Sequence, residues 1–191
     1  MTLASSWLFV VVAACGSAPP PPPAPPPPPP APAEPSEPTG IPAGYVDAHV
    51  LEVVGLGDDG GAVLLIDETS GLVLPIFIGG TEATSIAMRK RGTPRPRPLT
   101  HDLLDAMVKK LGGELVKVQV DELRDNTFIG SVFLRVGKRI VKLDARPSDA
   151  LALAIGNKLP IYVAKAVLEK AGMPADEVKQ KLNPQPPPDD I

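Results

Sequence analysis

The stretch RKRGTPRPRPLTHD, residues 89–102, packs Arg89, Lys90, Arg91, Arg95 and Arg97 into nine positions, with Pro94, Pro96 and Pro98 among them. No Lys or Arg precedes Arg89 anywhere in the chain. Proline fixes φ, so the cations are held in a stiff frame. His101, beside Asp102, adds an imidazole, a side chain suited to moving protons. A segment of this kind suits a site that holds an anion while moving a proton.

Two further segments carry polar residues in the same manner, GGTEA (79–83) and DARPSDA (144–150), and like LTHD (99–102) each reads as a helix start. A helix N-terminus offers unpaired N–H groups and partial positive charge to an anion. Capping and dipole complementation alone select Thr81, Glu82, Thr100, Asp102, Ser148 and Asp149, with Thr81 and Thr100 the expected N-caps. They do not select His101, Arg146 or the arginine cluster. A positive helix end keeps His101 neutral and able to accept a proton, with Asp102 or another carboxylate orienting it. Arg146 either closes the strand–helix junction as an ion pair or presents a planar fork to phosphate. Glu82, Asp102, Asp144 and Asp149 are candidate oxygen ligands for Mg²⁺ or Mn²⁺, with Asp144 and Asp149 preferred. His49, in a strand pattern, reads as structural. Zinc is disfavoured because the domain has no Cys and no histidines at ligand spacing, and neither a phosphate-binding G-x-x-x-x-G-K-[ST] loop nor a G-x-S-x-G elbow occurs.

The elements that must position these residues follow from the hydrophobic pattern. Strands are expected at 44–57, 61–69 and 72–80, the last buried on both faces, with Pro75 marking an edge or a bulge. A helix follows over 81–91, stopped by Gly92. A second starts at Thr100 and buries Leu103, Leu104, Met107, Val108 and Leu111. ELVKVQVDEL alternates as a strand, and TFIGSVFLRVGKRIVKLDA reads as two strands turning at Gly137-Lys138. RPSDALALAIGNKLP reads as a helix with Pro147 in its first turn, and PIYVA as a short strand. Two amphipathic pieces, KAVLEKAG and PADEVKQKL, complete the domain. The fold class is α+β: a mixed, mostly antiparallel sheet with helices packed on it, in a single domain.

Outside that domain, residues 1–15 read as a lipoprotein-type signal. An apolar run too short to span a bilayer leads to Val12-Ala13-Ala14-Cys15, where the chain's single cysteine, lacking any disulfide partner, is the lipidation candidate. Residues 16–40 form a proline-rich linker, with 14 prolines between Pro19 and Pro38, a composition that gives a solvated polyproline II spacer. Residues 41–183 form the folded domain and 184–191 a disordered tail. These features place the protein in the cell envelope, lipid-anchored at Cys15, facing the periplasm or in the outer membrane; without a functional leader it is cytoplasmic. Residues 89–191 carry 19 Lys and Arg against 13 Asp and Glu, whereas residues 1–88 carry nine acids and no base. Either the later half is the one that meets anions, or its solvated helices are simply rich in Lys.

The ordered segments LPIFIGGTEATSIA, PRPLTHDLL and LDARPSDALALA, followed by LPIYV, resemble the bifunctional nuclease domain of bacteria and plants over residues 44–172. That family's motif residues map to Glu82, Arg95, Pro96, Thr100, His101, Asp102, Asp144, Arg146, Ser148 and Asp149, all matched here. The resemblance implies a nuclease acting on RNA and DNA. On that reading Arg95, Arg97 and Arg146 hold phosphates with Thr100 and Ser148 nearby, His101 is the general acid or base, and Asp102, Asp149 and Glu82 assist it or bind a divalent ion. Arginine contacts to phosphate carry no base information, so little sequence preference follows, and the few aromatics, mostly in strand patterns, point to minor base stacking. The alternative is a non-catalytic, envelope-anchored module that binds an anionic or protein partner, with the same residues forming a structural network. Exposed edge strands add a homodimer as a candidate assembly. The leader and spacer depart from typical relatives, which are soluble and intracellular.

Overall fold

The computed structural model of the chain describes residues 40–56, 60–94 and 96–182. The leader with Cys15, the proline-rich linker, Arg95 and the tail lie outside the described residues. Strands β1 (Tyr45–Gly55), β2 (Gly61–Asp67) and β3 (Leu72–Ile78) form an antiparallel meander. Helices α1 (Gly80–Arg91) and α2 (Thr100–Lys110) follow, then strands β4 (Gly113–Arg124), β5 (Thr127–Val136) and β6 (Arg139–Ala145). Helix α3 (Pro147–Asn157), β7 (Ile161–Ala164), α4 (Lys165–Ala171), the two-residue β8 (Met173–Pro174) and α5 (Ala175–Leu182) complete the order. The eight strands make one sheet, β6-β5-β4-β7-β1-β2-β3-β8. All neighbours pair antiparallel except β4 and β7, which the α3 crossover makes parallel. The expected α+β architecture is the one observed.

Local chemistry explains the turns. Asp125 and Asn126 link β4 to β5 with φ of 47° and 61°, the positive pair that a two-residue hairpin of the primed type requires and that Asp and Asn tolerate. Gly137, at φ 60°, turns β5 into β6 where expected. Pro75 lies beyond the reach of β8, which pairs only with Leu72 and Val73, so the outer edge of β3 is open at the residue that has no N–H to offer. The larger core packs Val63, Leu65, Leu74 and Ile76 of β2 and β3 against Ile86 of α1, Leu151 and Leu153 of α3, and Val167 of α4. On the other sheet face Ala62, Leu64 and Val73 meet Val178 of α5, so β2 and β3 are covered on both sides.

Helix α2 departs from expectation. Leu103, Leu104, Met107 and Leu111 are exposed, Leu111 at 80%, whereas His101 is buried and Asp105 turned inward. The polar face packs inward because α1 supplies it with a cation. Arg89, whose side chain is only 4% exposed, donates from Nε to the Ala152 carbonyl of α3 at 2.7 Å, from Nη1 to Asp102 at 2.5 Å, and from Nη2 to Asp105. Asn157 adds a bond to the second Asp105 oxygen at 2.8 Å. Gly156 is the only residue type that admits this arrangement, since a Cβ there would overlap the Arg89 guanidinium. Gly156→Ala is therefore expected to displace the guanidinium and deprive two part-buried carboxylates of its charge. Arg89→Ala does the same directly, at a cost of about 3–5 kcal/mol. Urea unfolding of both variants measures this, and a loss below about 1 kcal/mol in both would contradict the assigned role.

Candidate functional site

The three helix starts converge. Helix α1 begins earlier than the expected Thr81 cap, because the Gly79 carbonyl already accepts the Ala83 N–H at 2.9 Å. Gly79 is thus the N-cap and Glu82 stands in the first turn. A Cβ at Gly79 would lie 2.8 Å from Glu82 Oε2, so glycine leaves room for the Glu82 carboxylate. In α2 the N-cap is Leu99, not Thr100: its carbonyl accepts the Leu103 N–H, and its own N–H donates to Asp102 Oδ2 at 2.9 Å. In α3 Arg146 is the N-cap, its carbonyl accepting from Asp149 and Ala150, and Pro147 opens the helix without needing a hydrogen-bond acceptor.

These starts place one chain of contacts across the three helices. Ser85 Oγ lies 3.0 Å from His101 Nδ1, and His101 Nε2 lies 3.2 Å from Asp149 Oδ1. Arg146 donates from Nε to Asp149 Oδ2 at 2.7 Å and from Nη2 to Asp149 Oδ1 at 3.0 Å; Nη2 also lies 3.0 Å from Glu82 Oε1. The contacts run from Ser85 and His101 in the interior through Asp149 to Arg146 at the surface, where Glu82 also meets the guanidinium. Ser85 and His101 are buried, Asp149 and Glu82 half-buried, and the Arg146 side chain is 67% exposed. A carboxylate against Nε2 fixes a proton on that nitrogen, leaving Nδ1 to accept from the Ser85 hydroxyl in the neutral ring.

Electrostatics centre on Asp149. Burial works to raise its carboxyl, but the hydrogen bonds from Arg146 and His101, reinforced by the Arg146 charge, outweigh it and hold the group below the usual carboxylate range. Arg146 is correspondingly pushed further up by Asp149 and then Glu82, so it is permanently charged. Its two Nη1–H donors take part in none of these bonds.

The other expected site residues sit elsewhere. Asp102 is held by Arg89 and the Leu99 N–H, and Asp149 is the carboxylate against His101. Arg89 is buried, and Lys90 Nζ donates to the Leu51 carbonyl at 3.0 Å, so the basic segment does not form one anion cradle. Arg97 and Thr100 are exposed and bonded to no member of the chain of contacts; Arg95 lies outside the described residues. Asp144 pairs with Ser131 across the β5–β6 ladder and is exposed there. Ser148 is buried and lines the same trough as Glu82 and Arg146. His49 is an exposed strand residue. Among the described residues no group of three or more His, Cys, Asp or Glu side chains is arranged to hold a metal ion. Both Asp149 oxygens lie within hydrogen-bond distance of Arg146, and Oδ1 of His101 as well. Sequence reasoning missed Ser85, although its spacing carried a signal: Glu82, Ser85 and Arg89 fall at i, i+3 and i+7 on one face of α1.

The profile of the bifunctional nuclease domain matches residues 63–176, which contain every element of this site. The chain belongs to the bifunctional nuclease domain family. An uncharacterized protein of Mycobacterium tuberculosis is 43% identical over 112 residues, covering 58% of this chain and 66% of that protein. Bifunctional nuclease 1 of Arabidopsis thaliana is 30% identical over 132 residues, covering 68% of this chain and 41% of the plant protein. Bifunctional nuclease 1 of Oryza sativa subsp. japonica is 26% identical over 114 residues. The chain thus spans just under two thirds of the mycobacterial relative and about two fifths of the Arabidopsis one.

The depressed Asp149 carboxyl makes a testable pH statement. A group whose folded pKa lies below its unfolded value stabilises the fold above the unfolded value, and that contribution is lost as pH falls through the folded one. Asp149, with the similarly depressed Asp67 and Asp121, should leave stability flat from about pH 7 to 5 and lower it steeply below about pH 4. In Asp149→Asn the acid limb should be shallower by the Asp149 share. Thermal melts from pH 3 to 7 read both, and an unchanged acid limb in the variant would remove Asp149 from the account.

Proposed function

We propose that this domain is a phosphodiesterase acting on RNA and DNA with little sequence preference. The observation that carries the reading is Arg146, a mostly exposed guanidinium held by two carboxylates through Nε and Nη2. A phosphate oxygen accepts from Nη1, a charge-assisted contact that strengthens as charge builds on the phosphoryl group. Glu82, beside Arg146 and Ser148, is the carboxylate placed to take the proton of an attacking water. The water oxygen bonds to phosphorus, one P–O ester bond breaks, and the departing oxygen is protonated from solvent. His101, with both ring nitrogens engaged and the ring buried, acts through Asp149: with Ser85 it fixes the carboxylate that orients Arg146, a positioning role in place of the general acid or base expected from sequence.

Mg²⁺ or Mn²⁺ assistance is carried as a proposal, and no step above runs through a metal. The burial of Ser85 and His101 equally favours the second reading, a non-catalytic module whose exposed Arg146 binds an anionic partner. Cleavage of labelled single-stranded RNA and DNA by the full chain separates the two, with EDTA-treated protein assayed before and after adding either ion. Arg146→Ala is expected to lower cleavage about a hundredfold while changing stability by only about 1 kcal/mol, as for an exposed ion pair. Oligonucleotides bound but left intact under every metal condition would replace the enzyme reading with the binding module.

Envelope attachment through Cys15 and pairing of two copies are likewise proposals. They rest on the Val12-Ala13-Ala14-Cys15 sequence and on the open β3 edge. Among the described residues no helix is long and apolar enough to cross a membrane. Cells fed an alkyne fatty acid should label the wild-type chain and not Cys15→Ser, and an unlabelled wild type would end the anchor proposal.

A further inference from the structure

The trough that Glu82, Arg146 and Ser148 line measures about 750 Å³, within the roughly 300–1,000 Å³ range of small-ligand pockets. Among the described residues its charged lining is Glu82, Arg146 and Lys170. Lys170 comes from the last turn of α4, which supplies nothing to the contacts around Asp149. Its Nζ donates to the Leu123 carbonyl at 3.0 Å, and Leu123 lines the trough too. The bond holds the ammonium at the trough wall. An ammonium has three donors and no acceptor, so one bond to a carbonyl leaves two for a further partner.

Charge separates the two cations. Arg146 meets two carboxylates, Asp149 and Glu82, so one positive charge there faces two negative ones. A phosphate arriving at Arg146 finds hydrogen-bond donors but no surplus of positive charge. Lys170 is exposed, bonds a neutral carbonyl and has no carboxylate partner among the described residues. It is the uncompensated cation of the trough.

We propose that Lys170 binds a second phosphate of the strand whose scissile phosphate lies at Arg146, so that the substrate is a polynucleotide segment carrying at least two phosphates. The inference rests on the phosphate contact proposed at Arg146 and deepens it. A point charge on a flexible stem suits a backbone phosphate and carries no base information. The two cations then have different tasks. The contact at Lys170 is the same before and during reaction, so it acts on KM. The contact at Arg146 strengthens as charge builds on the phosphoryl group, so it acts on kcat. The competing role for Lys170 is structural, a tether from α4 to β4 that also complements the carbonyl end of α4. Lys170→Gln separates the two roles, since the amide keeps a donor for the Leu123 carbonyl and removes the charge.

The full chain is tested with two substrates, a dinucleoside monophosphate and a trinucleoside diphosphate, and with a labelled single-stranded 12-mer whose binding is followed by anisotropy across a salt series. Wild type is expected to favour the two-phosphate substrate about tenfold in kcat/KM, as for a hydrogen bond to a charged group. In Lys170→Gln that preference should vanish through a higher KM, and Lys170→Arg should restore it. The slope of log K against log salt for the 12-mer should become shallower by about 0.7 in Lys170→Gln, the share of one phosphate on a single strand. Equal use of both substrates by wild type, or an unchanged preference and slope in Lys170→Gln, overturns the role of Lys170 and leaves the contact at Arg146 standing. A lower melting temperature in Lys170→Gln, with KM raised alike for both substrates, assigns the residue to the tether instead. If wild type binds the 12-mer but cleaves neither substrate, the salt slope decides alone. A wild type that binds no oligonucleotide at any salt concentration removes this inference and the Arg146 reading together.

Discussion

A single buried guanidinium, Arg89, sets the geometry on which the site depends. It reaches from the last turn of α1 to a carbonyl in the middle of α3 and to two carboxylates on α2. A charge taken out of water is costly unless its partners satisfy it. Here they come from two other helices, so the three helices are fixed against one another by a requirement that none can meet alone. Gly156 is the complementary concession, a helix position with no side chain so that the guanidinium can lie against α3. The apolar residues of α2 are left outside as a result, because the face that carries Asp105 and His101 is drawn inward.

With the helices held this way, their first turns bring Glu82, His101, Arg146 and Asp149 together. The cluster is graded. Its inner end, Ser85 and His101, is buried, and its outer end is a permanently charged arginine in contact with solvent. Such a gradient makes the buried part a support that orients Asp149, while the exposed part is free to meet an anion. His101 joins the buried packing to the surface through one carboxylate, whereas Arg146 adds little to the core.

A second polar network on the sheet follows the same logic without a helix. Asp121 accepts from Tyr45 at 2.7 Å and Ser131 at 2.6 Å, and pairs with Lys142 at 3.0 Å. Burial first, and the bond to Asp121 next, push the Tyr45 hydroxyl up to about 12. Lys117, 4.4 Å from the Phe133 ring centroid, fills the neighbouring space. Hydrogen-bonded carboxylates thus tie strands together just as Asp102 and Asp105 tie helices.

The sequence alone determined the fold class, nearly every strand and helix, and the three segments that meet at the site. Those features depend on local periodicity, on stop signals such as Gly92 and on Pro147, all of which act within a few residues. Motifs likewise identified Glu82, His101, Arg146, Ser148 and Asp149 by type. What only the tertiary structure decided was which polar residue answers which. Arg89 belonged by composition to a basic segment, yet it is the cation that α2 and α3 require. Asp102 is adjacent to His101 in sequence, but the carboxylate on the imidazole comes from 48 residues later. Leu103, Leu104, Met107 and Leu111 have the spacing of a core stripe but face solvent, because a buried ion pair orients a helix as firmly as apolar area does. Burial, charge partners and the openness of the β3 edge are properties of segments far apart in the chain. They have no counterpart in the spacing of residues along it.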